Sequence, residues 1–184
     1  MKAIQPTIVL VRPQLPENIG LTVRAMHNCG LEKLIIVSPR EKWPNQKAID
    51  SAANAKKIIK KAKIFKSINE AVSNYNFVIA TSARKRLLKK PHKKDFSSLF
   101  KDLPILSKIA ILFGPEQSGL SNNDLMLCDC IFTIPVSDCN HSFNLSHSVL
   151  LMVYKWQEYY NQFSHHISID KNLSDKKNFD IFMK

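Results

Sequence analysis

Two glycines that directly follow a short apolar segment place the strongest restriction on how this chain folds. Residues 109–113 form an uninterrupted apolar run, which is typical of a strand buried on both faces of a parallel sheet. Gly114 follows this run and Gly119 comes shortly afterwards, with Glu116 between them. Because the chain has only four glycines, this pair indicates a tight turn or a close approach of backbone to a ligand. The pattern predicts a strand, a turn, and a helix that starts near Ser121.

A second strand-to-helix transition lies close behind the first. Residues 131–134 form a short apolar run, interrupted by Thr133, that ends at Pro135, and a polar loop then leads to a long helix predicted to start at Asn144. Apolar side chains recur in this helix at spacings of three and four residues until about residue 163. Two strand ends and two helix starts therefore converge at one edge of the sheet, where α/β proteins bind ligands.

The rest of the chain alternates between short apolar runs and helical patterns. Strands are predicted at residues 7–11, 34–37, 64–65 and 77–80, and helices at residues 18–29, 46–61 and 67–73. Residues 84–104 are predicted to form a basic loop with a short helical piece. This alternation predicts an α/β fold with a mainly parallel sheet flanked by helices. We expect one domain over residues 1–163 and a polar tail over residues 164–184.

The first predicted helix presents an arginine on its polar face. Asn18 is predicted to cap this helix at its start, and Gly30 to end it. Arg24 falls on the side opposite the apolar stripe, one turn beyond Gly20, which we expect to leave it room. Most arginines on exposed helix faces are solvated surface, but the Pro-x-Asn-x-Gly sequence that precedes Arg24 makes it a candidate site residue.

The cysteine pattern argues against a metal site. Cys128, Cys130, Cys139 and His141 are close in sequence, but their spacing matches no common structural zinc pattern and contains no CxxC. We therefore expect no bound metal, and buried, reduced thiols in a cytoplasmic protein. We also expect neither a signal peptide nor a membrane span, since no segment approaches roughly 18 consecutive apolar residues.

A formal net charge of +12 favours a polyanionic partner. The basic residues form two clusters. The first consists of Lys56, Lys57, Lys60, Lys61, Lys63 and Lys66, and the second of Arg84, Lys85, Arg86, Lys89, Lys90, Lys93 and Lys94. A solvated basic surface is the alternative explanation, but phosphate neutralisation with counterion release would supply affinity for a polyanion. Neither cluster has the large apolar face of a membrane-surface helix, so we expect no membrane partner.

Three segments resemble the motifs of one enzyme family, in the same order and at compatible separations. Pro16–Arg24 resembles its first motif, Phe113–Leu120 its second, and Ile134–Pro135 with Ser142–Ser146 its third. Over about residues 6–160 the chain is similar to the SPOUT RNA 2′-O-ribose methyltransferases, in their TrmH/TrmJ branch. The segment Thr81–Arg84 and the basic stretch after it resemble the TrmJ subgroup most.

The resemblance implies a topology, a methyl donor and an assembly. The C-terminal part of the sheet would be threaded into a trefoil knot, a rare exception to unknotted topology. The donor would be S-adenosyl-L-methionine bound in the knot, and the protein would be a homodimer with active sites built across the interface. The donor-binding residues implied by the resemblance are Thr81, Ser82, Ala83, Gly114, Glu116, Gly119, Ile134, His141, Ser142, Phe143, Asn144 and Leu145.

The resemblance also implies catalytic and RNA-binding roles. Arg24 matches the family's catalytic arginine. Because a guanidinium hardly deprotonates, we favour a grip on the phosphate next to the target ribose, and a general-base role stays open. The residues expected to orient the reacting groups are Asn18, Glu116, Ser142 and Asn144. The predicted RNA-binding residues are Arg12, Arg24, Arg84, Lys85, Arg86, Lys89, Lys90, Lys93 and Lys94, and we expect this second basic cluster to contact RNA more than the first.

These observations predict an S-adenosyl-L-methionine-dependent RNA 2′-O-methyltransferase that acts on tRNA, at nucleotide 32 of the anticodon loop. The alternatives are the tRNA wobble nucleotide, an rRNA ribose, or a non-catalytic RNA-binding protein with the same fold. Binding alone would not require Arg24, Glu116, Ser142 and Asn144 together, which argues against the last alternative. A Rossmann nucleotide enzyme is disfavoured because the chain has no G-x-G-x-x-G sequence. The chain departs from the family at Phe143, where leucine is usual.

Overall fold

A seven-stranded parallel sheet forms the centre of the computed structural model, which describes residues 5–84, 88–104, 108–137 and 142–160. The strands are β1 (Thr7–Val11), β2 (Leu34–Val37), β3 (Lys63–Phe65), β4 (Phe77–Thr81), β5 (His92–Lys93), β6 (Ile109–Phe113) and β7 (Cys130–Phe132). Their order across the sheet is β3-β2-β1-β6-β4-β7-β5, and every described pair is parallel. The predicted α/β fold with a mainly parallel sheet is confirmed.

Seven helices of the described residues cover the two faces of the sheet. They are α1 (Pro16–Asn28), α2 (Gln46–Ser51), α3 (Lys56–Lys61), α4 (Ile68–Val72), α5 (Phe96–Lys101), α6 (Asn122–Met126) and α7 (Leu145–Tyr159). Successive strand side chains point to opposite faces. Ile8 and Leu10 therefore join a core cluster with α1, α2, α3, α5 and α7, whereas Val9 and Val11 join a second cluster with α4 and α6.

The strand order brings the three segments that resemble family motifs to one edge of the sheet. Strand β6 lies between β1 and β4, with Phe113 opposite Leu10 and Leu112 opposite Ala80. Because all these strands run in the same direction, the loops that follow them meet at the carboxyl edge of the sheet. Helix α7 starts at this edge as well, since its first residue, Leu145, lines the same cavity as Phe113 at the end of β6.

The single helix predicted over residues 46–61 is wrong. Two short helices, α2 and α3, flank a 3-10 turn at Ala53–Ala55. Ala53 has a φ of +48°, a left-handed conformation that a right-handed helix cannot contain. On either side of this residue, Ala52 and Ala55 are both buried, so the break turns both helices toward the core.

The predicted start of the first helix is also wrong. Helix α1 begins at Pro16, a proline at the first turn where its missing N–H costs nothing, and Leu15 precedes it without a side-chain cap. Asn18 lies inside the first turn and does not cap the helix. Its buried side chain can therefore contact residues outside α1.

Gly20 allows α1 to pack against α2. The expectation that it leaves room for Arg24 is wrong. A β-carbon at Gly20 would overlap the carbonyl oxygen of Ala48 and would lie 2.6 Å from Cβ of Ser51. The absence of a side chain therefore lets α1 pack closely against α2.

Replacing Gly20 with alanine is expected to lower the free energy of unfolding by roughly 1–3 kcal/mol, because α1 and α2 must move apart. This loss should exceed the gain of up to about 1 kcal/mol that alanine brings in helix propensity. Denaturant unfolding measures the difference, with His27→Ala as a control at an exposed position of the same helix. Equal stability of wild type and Gly20→Ala would contradict the close packing.

Several other sequence predictions can be compared with the described residues. The basic segment contains the expected helical piece, α5, and also a short edge strand, β5, which the sequence did not predict. Helix α7 ends at Tyr159. Residues 161–184 lie outside the described ranges, so the division at residue 163 stays a prediction, as does the knot. No helix in the described ranges is long and apolar enough to cross a membrane.

Three of the four cysteines lie in the described part of the chain. Cys29, Cys128 and Cys130 are buried and free, and burial raises the pKa of the Cys128 thiol to about 12. A buried thiol with a raised pKa is unreactive. Cys139 and His141, the other members of the zinc pattern considered from sequence, lie outside the described residues.

Candidate active site

A cavity of about 250 Å³ opens at the carboxyl ends of β4 and β6, beside the start of α7. Ten of the twelve predicted donor-binding residues line it. They are Thr81, Ser82, Ala83, Gly114, Glu116, Gly119, Ile134, Ser142, Phe143 and Leu145. His141 lies outside the described residues, and Asn144 is not among the residues that line the cavity. The cavity is also lined by Val136, which follows β7, and by Ser148, which begins the second turn of α7; the sequence predicted neither.

The cavity wall suits a ligand with an aromatic part and polar groups. Phe113, Ile134 and Leu145 are almost fully buried and give the cavity an apolar side. Phe143 is partly exposed at the same site. The other side consists of backbone-rich loops after β4 and β6, in which the Thr81 hydroxyl donates to the carbonyl of Leu112 at 2.8 Å. An apolar slot beside polar loops fits an adenine-containing molecule.

Gly114 is required by the loop that bounds the cavity. A β-carbon at this position would overlap the amide nitrogen of Leu120 and would lie 3.0 Å from the Cα of Gly119. The loop therefore folds back onto its own start, with Gly119 in a left-handed conformation at a φ of +65°. A side chain at Gly114 would displace the loop itself, so its replacement does not test ligand contact cleanly.

The carboxylate of Glu116 joins two of the three motifs. The backbone N–H groups of Gln14 and Leu15 donate to it at 2.8 and 3.2 Å, and Asn18 Nδ2 donates to Oε1 at 2.9 Å. These bonds connect the loop after β6 to the loop after β1 and to the first turn of α1. The negative charge also lies at the N-terminus of α1, where the helix dipole favours it.

Asn144 extends the same network to the third motif. Its Nδ2 donates to Oδ1 of Asn18 at 3.2 Å, and its Oδ1 accepts from the backbone N–H and the hydroxyl of Ser146 at 2.9 and 2.8 Å. Asn144 thus caps α7 and holds Asn18 at once. Ser146 was missed as a site residue, although an Asn-x-Ser sequence at a helix start indicates such a cap. Ser142 lines the cavity but forms no hydrogen bond with another described residue.

Arg24 lies apart from the cavity of its own chain. It is exposed on α1, six residues beyond Asn18 and therefore roughly 9 Å farther along the helix axis. It is not among the residues that line the cavity, and it forms no hydrogen bond or ion pair with any residue in the described ranges. Its guanidinium is available to a group from outside this subunit.

Two of the predicted RNA-binding arginines lie at the cavity or at a shallow groove that adjoins it and is lined by Arg12. Arg84 lines the cavity and donates to the carbonyl of Gln117 at 3.3 Å. Arg12 forms a two-pronged ion pair with Asp124, whose second oxygen accepts from Nη1 at 3.3 Å. Burial alone would raise the pKa of Asp124, but hydrogen bonds from Arg12 and Ser121 outweigh it and hold the pKa below its ordinary value.

The predicted RNA-binding lysines fall into two groups. Lys90 donates to the carbonyl of Met126 at 2.8 Å and also to that of Cys128, and Lys93 forms an ion pair with Asp102. Lys89 and Lys94 are exposed. Lys85 and Arg86 lie outside the described residues. Internal partners therefore already engage two of these predicted phosphate ligands.

Known proteins share this architecture. Residues 5–154 match the model of the SpoU rRNA Methylase family. The tRNA (cytidine-2′-O-)-methyltransferase TrmJ of Methanocaldococcus jannaschii is 34% identical over 155 residues, which are 83% of this chain and 67% of that protein. The tRNA (cytidine/uridine/adenosine-2′-O-)-methyltransferase TrmJ of Pseudomonas aeruginosa is 33% identical over 151 residues, 80% of this chain and 58% of that protein.

A solved structure gives the same result. The crystal structure of TrmJ from Z. mobilis ZM4 has a TM-score of 0.78 and 40% sequence identity, and the match covers 83% of this chain and 69% of that chain. The chain spans between 58 and 67% of the length of the TrmJ relatives named above. The family model matches most of this chain, and the motif residues are joined around one cavity. The chain therefore belongs to the SpoU rRNA Methylase family.

Proposed function

We propose that this protein is an S-adenosyl-L-methionine-dependent RNA 2′-O-ribose methyltransferase that acts on tRNA. The observation that carries the proposal is the hydrogen-bonded chain Glu116–Asn18–Asn144, which joins three motifs distant in sequence around one cavity. The relatives' names support tRNA as the substrate class.

The cavity residues would hold the methyl donor. Ile134 and Leu145 would flank its adenine, and the loops at Thr81–Ala83 and Gly114–Glu116 would supply polar contacts. When bound, S-adenosyl-L-methionine supplies an activated methyl group, so the protein has mainly to place the ribose hydroxyl in line with it. Glu116 contributes by fixing the loop after β1, and with it the start of α1, relative to the donor loop.

Arg24 would act on the RNA rather than on the donor. A guanidinium suits bidentate contact with a phosphate, and a grip on the phosphate next to the target ribose would hold the 2′-hydroxyl in position. Asn18 and Asn144 would serve as positioning residues, because their side chains are committed to each other and to Glu116 and Ser146.

A homodimer would bring Arg24 to a cavity. Helices α1 and α7 pack against each other, and Leu21, Leu150 and Tyr154 on their outer faces are 40–49% exposed. Exposed apolar side chains on neighbouring helices support a contact with a second copy. Arg24 is on the exposed side of α1, one turn from Leu21, so such a contact would place it at the boundary between subunits.

The finer assignments rest on the family resemblance. We propose nucleotide 32 of the tRNA anticodon loop as the target and the cytoplasm as the site of action. The domain would occupy residues 1–163, with residues 164–184 as a tail.

The proposal is tested by incubating the protein with unmodified tRNA transcripts and S-adenosyl-L-methionine carrying a labelled methyl group. We expect label in tRNA, and a block to alkaline cleavage after the methylated ribose at nucleotide 32. A block at the wobble nucleotide, or label in rRNA alone, would correct the substrate. Binding of both donor and RNA without any transfer would favour the non-catalytic alternative.

A further inference from the structure

A groove continues from the donor cavity along the carboxyl edge of the sheet toward β3. The segment next to the cavity shares Arg84 and Gly119 with it and extends over the loop before α6 to Asp124. The next segment shares Arg12, Asn123 and Asp124 with the first. It ends at Ser38 and Lys66, the residues that follow β2 and β3. The groove therefore crosses three strand spacings, roughly 14 Å, from the end of β6 to the end of β3.

The charges along this groove favour an anionic ligand. Its cations are Arg84, Arg12 and Lys66, spread from one end to the other. Asp124 is the one acidic residue among its described lining residues, and its carboxylate is buried and paired with Arg12. The remaining polar lining includes the exposed amide side chain of Asn123. The groove thus has a net positive charge and hydrogen-bond donors, with no unpaired carboxylate among its described lining residues.

Two residues of this groove have unusual backbone conformations. Arg12 and Ser38 follow neighbouring strands and have φ values of +49° and +45°. Hydrogen bonds fix both turns, from Arg12 N–H to the Val37 carbonyl at 2.7 Å and from Ser38 N–H to the Phe65 carbonyl at 2.9 Å. Left-handed conformations of non-glycine residues cluster at functional sites, and two of them side by side support a role for the groove beyond linking strands.

One residue of the first basic cluster, Lys66, lines the far end of the groove, and the other five lie just before it in the chain, on α3 and at the start of β3. We call Lys56, Lys57, Lys60, Lys61, Lys63 and Lys66 the α3–β3 lysine face. All six are exposed, and none of their side chains forms a hydrogen bond or an ion pair with a residue that the structure describes. In the second cluster, by contrast, Lys90 and Lys93 are engaged internally. The lysine face therefore offers more free positive charge than the sequence-based ranking of the two clusters gave it.

We propose that the groove and the α3–β3 lysine face bind the phosphate backbone of the substrate RNA on one side of the target nucleotide. This inference rests on the proposed RNA methyltransferase function and names a surface for it. The target ribose would lie at the donor cavity, the adjoining nucleotides would follow the groove past Arg12, and a more distant part of the folded RNA would reach the lysines. Phosphates need only positive charge and donors, which this surface supplies without reading sequence.

The lysine face is tested with the double variant Lys60→Gln and Lys66→Gln. A matched control replaces Lys101 and Lys108 with glutamine, which removes the same charge from exposed positions on α5 and directly before β6. The face variant should bind tRNA transcript roughly tenfold more weakly, with a salt slope lower by up to about one per lost phosphate contact. The control should differ little from wild type, and donor affinity should stay unchanged in both.

The groove is tested by a single residue. Asn123→Glu places a negative charge in it, while an acidic side chain in the first turn of α6 is compatible with that helix. Asn123→Gln has the same size without the charge. We expect weaker tRNA binding for Asn123→Glu alone. Equal RNA affinity within each matched pair, with wild type still methylating tRNA, would overturn the inference and leave the proposed function intact. Failure of the wild-type protein to bind any RNA would overturn both.

Discussion

Arg24→Ala is expected to reduce methyl transfer to tRNA by roughly 10²–10³-fold, the usual loss when one electrostatic contact of a transition state is removed. Its fold and donor affinity should not change, because Arg24 is exposed and does not line the cavity of its own chain. Single-turnover methylation with saturating donor measures the loss, and calorimetry measures donor binding. Full activity of Arg24→Ala would exclude the proposed role.

Two comparisons separate the possible roles of this arginine. Arg24→Lys keeps the charge but loses the two-pronged geometry, so a phosphate grip predicts intermediate activity. A tRNA with an uncharged methylphosphonate beside the target ribose lacks the group that Arg24 would hold. With this substrate, wild type and Arg24→Ala should differ much less, because the interaction is then absent from both. An undiminished difference would favour the general-base role instead.

The position of the site could be predicted from sequence because its residues directly follow strands. Apolar runs identified β1, β4 and β6, and the residues after parallel strands meet at one edge whatever the details of the helices. That rule, together with the motifs, is why ten predicted residues line the cavity. The apolar stripe of α7 could be predicted equally well from its spacing, and its residues Leu145, Val149, Met152 and Trp156 are all buried.

The partners of polar and charged side chains could not be predicted in the same way. Lys90 donates to the carbonyl of Cys128, 38 residues away, and Asn18 donates to Glu116, 98 residues away. Local patterns contain no information on such contacts, so Lys90 resembled a free phosphate ligand and Asn18 resembled a helix cap. Gly20 was misjudged for the same reason, because the atoms that require a glycine there belong to α2.

The break at Ala53 shows a different limit. Residues 46–61 have good helix formers and no proline or glycine, so propensity alone predicts one helix. Packing against α1 decides otherwise, because Ala48, Ala52 and Ala55 are all buried beside it. Tertiary contacts thus select two short helices over a longer one, and this choice also sets where the α3–β3 lysine face points.

A mixture of two inactive variants is expected to recover about a quarter of wild-type activity if the active site is shared between subunits. The first variant is Arg24→Ala. The second is Ala83→Trp, which fills the donor cavity from an exposed position on its wall and avoids the loop damage expected at Gly114. Donor binding should be lost in Ala83→Trp and retained in Arg24→Ala, which calorimetry on each pure protein confirms before mixing.

The quarter follows from counting sites in a homodimer. After free exchange at equal concentrations, about half of the dimers contain one subunit of each kind. In each hybrid, the open cavity of the Arg24→Ala subunit faces an intact arginine of its partner. The other site has neither an open cavity nor an arginine. Differently tagged subunits show whether hybrids form. If Arg24 served the cavity of its own chain, every site of a hybrid would lack one component, and activity would stay at background although hybrids were present.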